Sequence, residues 1–127
     1  MSDKTIAQKL MMKAGQTVLI LNAPKGYAHS IGKLPAGVVV HAKGGQPADI
    51  IQAFIRSKTE LEDQLSSLKS MLKPKGNLWI TYPKGIGKIA ADINRDIIRD
   101  YALTAGLTAV AIFSVDNDWA ALRLKPI

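Results

Sequence analysis

The 127-residue chain has no cysteine, which excludes a disulfide framework, a thiolate nucleophile and a zinc ribbon. No apolar run approaches the roughly 20 residues that a membrane-spanning helix needs. The longest, Val18 to Leu21 and Ala109 to Phe113, are strand-sized. The start, Met1-Ser2-Asp3-Lys4, lacks the charged-then-apolar layout of a signal peptide, so a soluble, cytoplasmic protein is expected, with no membrane partner. Only two histidines are present, His29 and His41. Neither has an acidic neighbour at ligand spacing, so no metal site is expected. Acidic residues are also in short supply: ten Asp and Glu stand against seventeen Lys and Arg, a formal net charge of +7. That balance favours anionic partners by long-range steering and says nothing about fold.

What is present reads as one globular domain, residues 1–127, without repeat, linker or low-complexity tract. Ser2 to Lys13 has Ile6, Ala7, Leu10 and Met11 at helical spacing, with Ser2 or Asp3 as N-cap and Gly15 as stop. Thr17 to Leu21 is apolar without alternation, the mark of a strand buried on both faces. Tyr27 to Ile31 reads as a short helix, Val38 to His41 as a second strand, and Asp49 to Ile55 as a third. The connector between these strands is short for a parallel crossover, which leaves their relative direction open.

Ser57-Lys58-Thr59-Glu60 has the form of a capping box. Leu61, Leu65, Leu68, Met71 and Leu72 then make one apolar helical stripe, which Lys73-Pro74-Lys75-Gly76 ends. Leu78 to Tyr82 is a fourth strand, Asp92 to Ala105 a helix with Ile93, Ile97, Ile98, Tyr101 and Ala105 inward, and Thr108 to Ser114 a fifth strand. Asp116-Asn117-Asp118 is turn chemistry, so Trp119 to Leu124 returns as a sixth strand in a hairpin. Helices alternate with strands until that hairpin, which makes the class α/β. The expected architecture is a three-layer wound sheet of six strands that ends in an antiparallel hairpin.

Catalytic patterns are missing. Asp92, Asp96 and Asp100 interleave with Arg95 and Arg99 at helical spacing, which reads as a solvated, ion-paired helix face. Gly26 to Gly32-Lys33 has five residues between its glycines where a phosphate-binding loop has four, and Leu34 follows where Ser or Thr is required. One pattern survives. Parallel strands point their carboxyl ends to one edge, and ligands bind there. The loops assigned to that edge carry Lys25 and Gly26; Lys43, Gly44 and Gly45; Arg56, Ser57 and Lys58; and Lys84, Gly85, Gly87 and Lys88. The helix starting at Ser57 adds amide groups and a partial positive charge. The reading is a non-catalytic domain for a small phosphate-bearing or otherwise anionic ligand, contacted by Lys25, Arg56, Ser57 and Lys84, with no cofactor. Nucleic acid is the less favoured partner, because no basic strand face shows interleaved aromatics.

The leucine-striped helix, Lys73-Pro74-Lys75-Gly76, Asn77-Leu78-Trp79-Ile80-Thr81-Tyr82, the next helix and the terminal hairpin resemble the second half of a Rossmann-like methyltransferase. Asp49-Ile50-Ile51-Gln52-Ala53-Phe54 is similar to the fourth strand of those enzymes. They place a glycine-rich turn after the first strand and an acidic residue after the second to hold S-adenosylmethionine. Here Asn22-Ala23-Pro24-Lys25-Gly26-Tyr27 and then His41 and Lys43 occupy those places. A cryptic S-adenosylmethionine-dependent enzyme is therefore the alternative reading. Over nearly its whole length the chain is similar to a small family of uncharacterised bacterial proteins, a domain of unknown function. Gly15 to Pro24, Arg56-Ser57, Tyr82-Pro83-Lys84 and Asp116-Asn117-Asp118-Trp119-Ala120-Ala121-Leu122-Arg123 carry that likeness. Together the likenesses imply a pared-down methyltransferase-type fold, with sheet order 2-1-3-4-6-5 and strand six antiparallel, and supply no particular activity.

Overall fold

The computed structural model describes residues 5–84 and 92–127. Within them, β1 (Thr17–Leu21), β2 (Val39–His41), β3 (Ala48–Phe54), β4 (Leu72–Pro83), β5 (Leu107–Ser114) and β6 (Trp119–Pro126) form one sheet of order β2-β1-β3-β4-β6-β5. The first four strands run parallel, and β6 is antiparallel to both β4 and β5. The expected order and class hold.

Helices cover both faces. On one, α3 (Lys58–Met71) and α4 (Arg95–Thr104) pack Leu61, Leu65, Leu68 and Ile98 against Leu19, Ile51, Leu78, Ile80, Leu122 and Leu124. On the other, α1 (Ile6–Lys9) and α2 (Tyr27–Ser30) pack Ala7, Leu10, Tyr27 and Ile31 against Val18, Ile20, Ile50, Phe54 and Trp79. Two-sided burial explains why β1 and β3 read as unbroken apolar runs.

The direction of β2 is settled by its shortness. Its last residue, His41, is level with Leu19, and Leu19 is level with Ile51 in mid-sheet. From there the chain must descend only about three residues, near 10 Å, to begin β3 at Ala48. Residues 42–47 span that distance without a helix.

Several boundaries and caps differ from the sequence reading. The caps expected at Ser2 or Asp3 lie outside the described residues; α1 is capped instead by a reciprocal pair, Thr5 and Gln8. It ends by Met11, at φ 67°, because the chain turns to bury Leu10 and Met12 and to aim the Leu10 carbonyl at the Trp79 indole N–H, 3.2 Å away. At α3, Ser57 Oγ accepts from Glu60 N, but Glu60 Oε1 accepts from Arg56 N and not from Ser57. Lys73 to Gly76 does end α3, yet joins β4 as an irregular lead-in, with the register shifting between Ala48 and Ile50. Only glycine fits at position 76, since a Cβ there would lie 2.8 Å from the Asp49 carbonyl oxygen. Finally, α4 starts at Arg95 under an Asn94 cap, because Asp92 turns away to accept from Lys58 N at 2.9 Å.

Candidate functional site

The carboxyl edge of the sheet is organised by an aromatic column. Phe54, the last residue of β3, meets Tyr27 of α2 edge-to-face at 4.8 Å and Trp119 of β6 at 4.9 Å. The Arg56 guanidinium caps the column, 5.1 Å from the Trp119 ring centroid. Its Nη1 donates to the Asn22 carbonyl at 3.5 Å, which ties the loop after β3 to the loop after β1. No carboxylate pairs with Arg56 among the described residues. A half-buried guanidinium held by a ring face and one long carbonyl contact keeps donors directed at solvent.

Below the column runs a buried polar chain. The Tyr27 hydroxyl donates to Gln52 Oε1 at 2.8 Å, and Gln52 Nε2 donates to Thr81 Oγ1 at 3.1 Å. Burial pushes the Tyr27 phenol up to about 12, against the pull of the Gln52 hydrogen bond and with help from Asp116. Sequence reasoning missed both column and chain. One signal was legible: Gln52 is a polar residue amid Ile50-Ile51 and Ala53-Phe54.

The expected site residues separate into groups. Lys25 is exposed on the loop after β1, and Gly26, at φ 83°, leads into α2. Lys25 shares its loop with Asn22, whose carbonyl accepts from Arg56. Ser57 follows Arg56, but its hydroxyl oxygen is engaged as the α3 cap. Two of the N-terminal amides expected to face a ligand are engaged as well, Lys58 N on Asp92 and Glu60 N on Ser57, and Arg56 N just before them is bonded to Glu60.

Lys84 belongs to a second group. Its Nζ donates to Ser114 Oγ at 2.5 Å, across the start of β6, and it borders an open cleft of about 400 Å³ with Tyr82, Asn94, Arg95, Asp96 and Ile112. Burial raises the Tyr82 phenol, opposed by the Arg95 charge. Gly85, Gly87 and Lys88 lie outside the described residues.

Lys43, Gly44 and Gly45 do not belong to this edge. Their connector leaves β2 in mid-sheet and passes the far end of α3, where a Cβ on Gly44 would lie 2.9 Å from Met71 Sδ. Among the described residues no group of His, Cys, Asp or Glu is placed to hold a metal ion. None of their helices is long and apolar enough to cross a membrane.

A nucleoside cofactor held between the ends of β1 and β2 does not fit this chain. The cavity there is about 150 Å³, lined by Ile20, Ala23, Tyr27, Ile31, Val40, His41 and Ala42, with no carboxylate to grip a ribose. Ligand pockets run to roughly 300–1,000 Å³.

Solved structures share the fold. The DhpI–SAH complex matches with a TM-score of 0.65 at 10% identity, over 94% of this chain and 79% of that one. Ribosomal protein L11 methylase from Lactobacillus delbrueckii subsp. bulgaricus gives 0.60 at 15%, over 94% and 74%. The fibrillarin pre-rRNA processing protein of Methanococcus jannaschii gives 0.59 at 13%, over 90% and 67%. The class is thus an α/β protein with a methyltransferase-like fold. Among curated proteins none matches the chain. Residues 7–126 match DUF3052, a family described as a protein of unknown function, and the chain belongs to that family.

Proposed function

We propose that the chain is a non-catalytic binding domain that takes a small phosphate-bearing anion at the carboxyl edge of its sheet, through Arg56 and Lys25. The observation that carries this reading is the Arg56 guanidinium, held over Trp119 and without a carboxylate partner among the described residues. A guanidinium presents a planar fork of donors suited to phosphate. Lys84 serves the same edge from the β4 side, and Ser57 supports the site by fixing the start of α3.

Thermal melts across a phosphate titration test it, since a ligand that binds only the native state raises the melting temperature by mass action. Arg56→Gln is expected to roughly halve the phosphate-dependent rise. Lys75→Gln, at the opposite edge, is expected to leave it intact. Equal responses in wild type and both variants would reduce the edge to ordinary basic surface.

A further inference from the structure

The charge of this molecule is segregated by face. No acidic residue occurs between Asp3 and Asp49, a stretch that carries six lysines and supplies α1, α2 and their loops. None occurs in β5 or β6. Carboxylates collect on the opposite face: Glu60, Glu62 and Asp63 on α3, Asp96 and Asp100 on α4. At the border of the basic face, Asp49 receives Thr17 N and Lys73, and Asp116 Oδ1 receives two hairpin amides.

The short α1 covers Trp79 and stops, so on the α1/α2 side Trp119 and Ala121 at the start of β6 stay buried, while the rest of β6 and the facing part of β5 carry no helix. Arg123 and Lys125 emerge there, because Leu122 and Leu124 alternate with them into the α3/α4 core. Arg123 stands beside Trp79 on β4 and Ala111 on β5. Its Nε is buried without a hydrogen-bond partner among the described residues, and its Nη1 lies 2.8 Å from the Met11 sulfur. Lys9 reaches over from α1, its ammonium 5.8 Å from the centroid of the half-buried Phe113 ring. Trp79 itself is buried and meets the half-buried Phe113 edge-to-face at 5.0 Å, so Phe113 is the ring that this face offers beside the β6 cations.

We propose that this open face of β5 and β6, with Lys9, Arg123, Lys125 and Phe113, docks the phosphodiester backbone of a single-stranded nucleic acid. A flat cationic sheet face with an aromatic ring is the surface that unpaired strands use. Entry into a duplex groove needs a projecting helix or ribbon, which this face lacks. A membrane would require a broad, strongly apolar face to insert, whereas Met11 and Val110, 40% and 38% exposed, stand here among Lys9, Arg123 and Lys125. The surface meets the carboxyl edge at Ser114, whose carbonyl accepts from Lys9 and whose hydroxyl accepts from Lys84, but it does not draw on Arg56 or Lys25.

Fluorescence anisotropy with a labelled oligouridylate of about 20 nucleotides, at several salt concentrations, reads the interaction. Binding is expected to weaken with salt at a log–log slope of about −2, the value for three neutralised phosphates. Lys125→Gln, an exposed change that spares the core, is expected to weaken binding and to reduce that slope by about 0.7. Arg123→Gln is expected to weaken it too. Arg99→Gln removes the same charge from the opposite face, and Arg56→Gln removes it from the edge; both are expected to leave the slope unchanged. Equal losses in all four variants, absence of binding, or capture only by vesicles of anionic phospholipid would each overturn the proposal.

Discussion

Gln52 and Thr81 are fully buried polar side chains on adjacent central strands, a costly arrangement unless each finds a partner. The Tyr27 hydroxyl completes the chain at 2.8 Å. Tyr27→Phe keeps the ring against Phe54 and strands Gln52 Oε1, so it is expected to cost about 1–3 kcal/mol in a denaturant titration. The phenol also sets a pH dependence. Its folded pKa, about 12, exceeds the unfolded value near 10. The native state therefore holds this proton more tightly. Its contribution is fully present below pH 10 and is lost as pH rises towards about 12. Over that window stability should fall less steeply in Tyr27→Phe than in wild type. Identical slopes would show that Tyr27 is not held protonated by the fold.

Among the elements, α3 is the one whose sequence signals and structure agree most fully. Ser57 caps it, and Leu61, Leu65 and Leu68 are buried, Leu65 to 1% exposure. Ser57→Ala should cost about 1 kcal/mol through the lost cap. Leu65→Ala should cost about 2–5 kcal/mol through the cavity it leaves. Urea denaturation ranks the two, and a larger loss for Ser57→Ala would contradict the placement of Leu65 in the core. Elsewhere local signals gave way to tertiary demands. The spacing of Ile6, Ala7, Leu10 and Met11 suits a longer helix than α1, but the docking of Leu10 and Met12 ends it early. Asp92 and Asp96 carry similar local signals, yet Asp92 is drawn to Lys58 N while Asp96 pairs with Arg95 and Arg99 on a solvated face.

For the molecule as a whole, fold and site point in different directions. The fold is similar to that of proteins solved with SAH, yet the space between β1 and β2 is small and apolar, and His41 ends β2 where an acid would be needed. S-adenosylmethionine is therefore expected not to bind. Calorimetry giving a dissociation constant of about 100 µM or tighter, near 5.5 kcal/mol of binding, would revive the enzyme reading.

The sequence by itself determined the α/β class, the buried stripe of α3 and the Asp116–Asp118 turn. Each is written in local terms: unbroken apolar runs, helical spacing, and side chains that bond their own backbone. Only the tertiary structure decided which cations share a surface. Lys43 and Lys84 follow strands in the same way, but β2 stops in mid-sheet and its loop turns back, whereas β4 runs through to the edge. Arg56 reads as one basic residue among seventeen until β6, entering antiparallel more than sixty residues later, brings the Trp119 ring beneath it. Contacts between segments so distant along the chain depend on registers between strands, and those are set by the packing of the two cores.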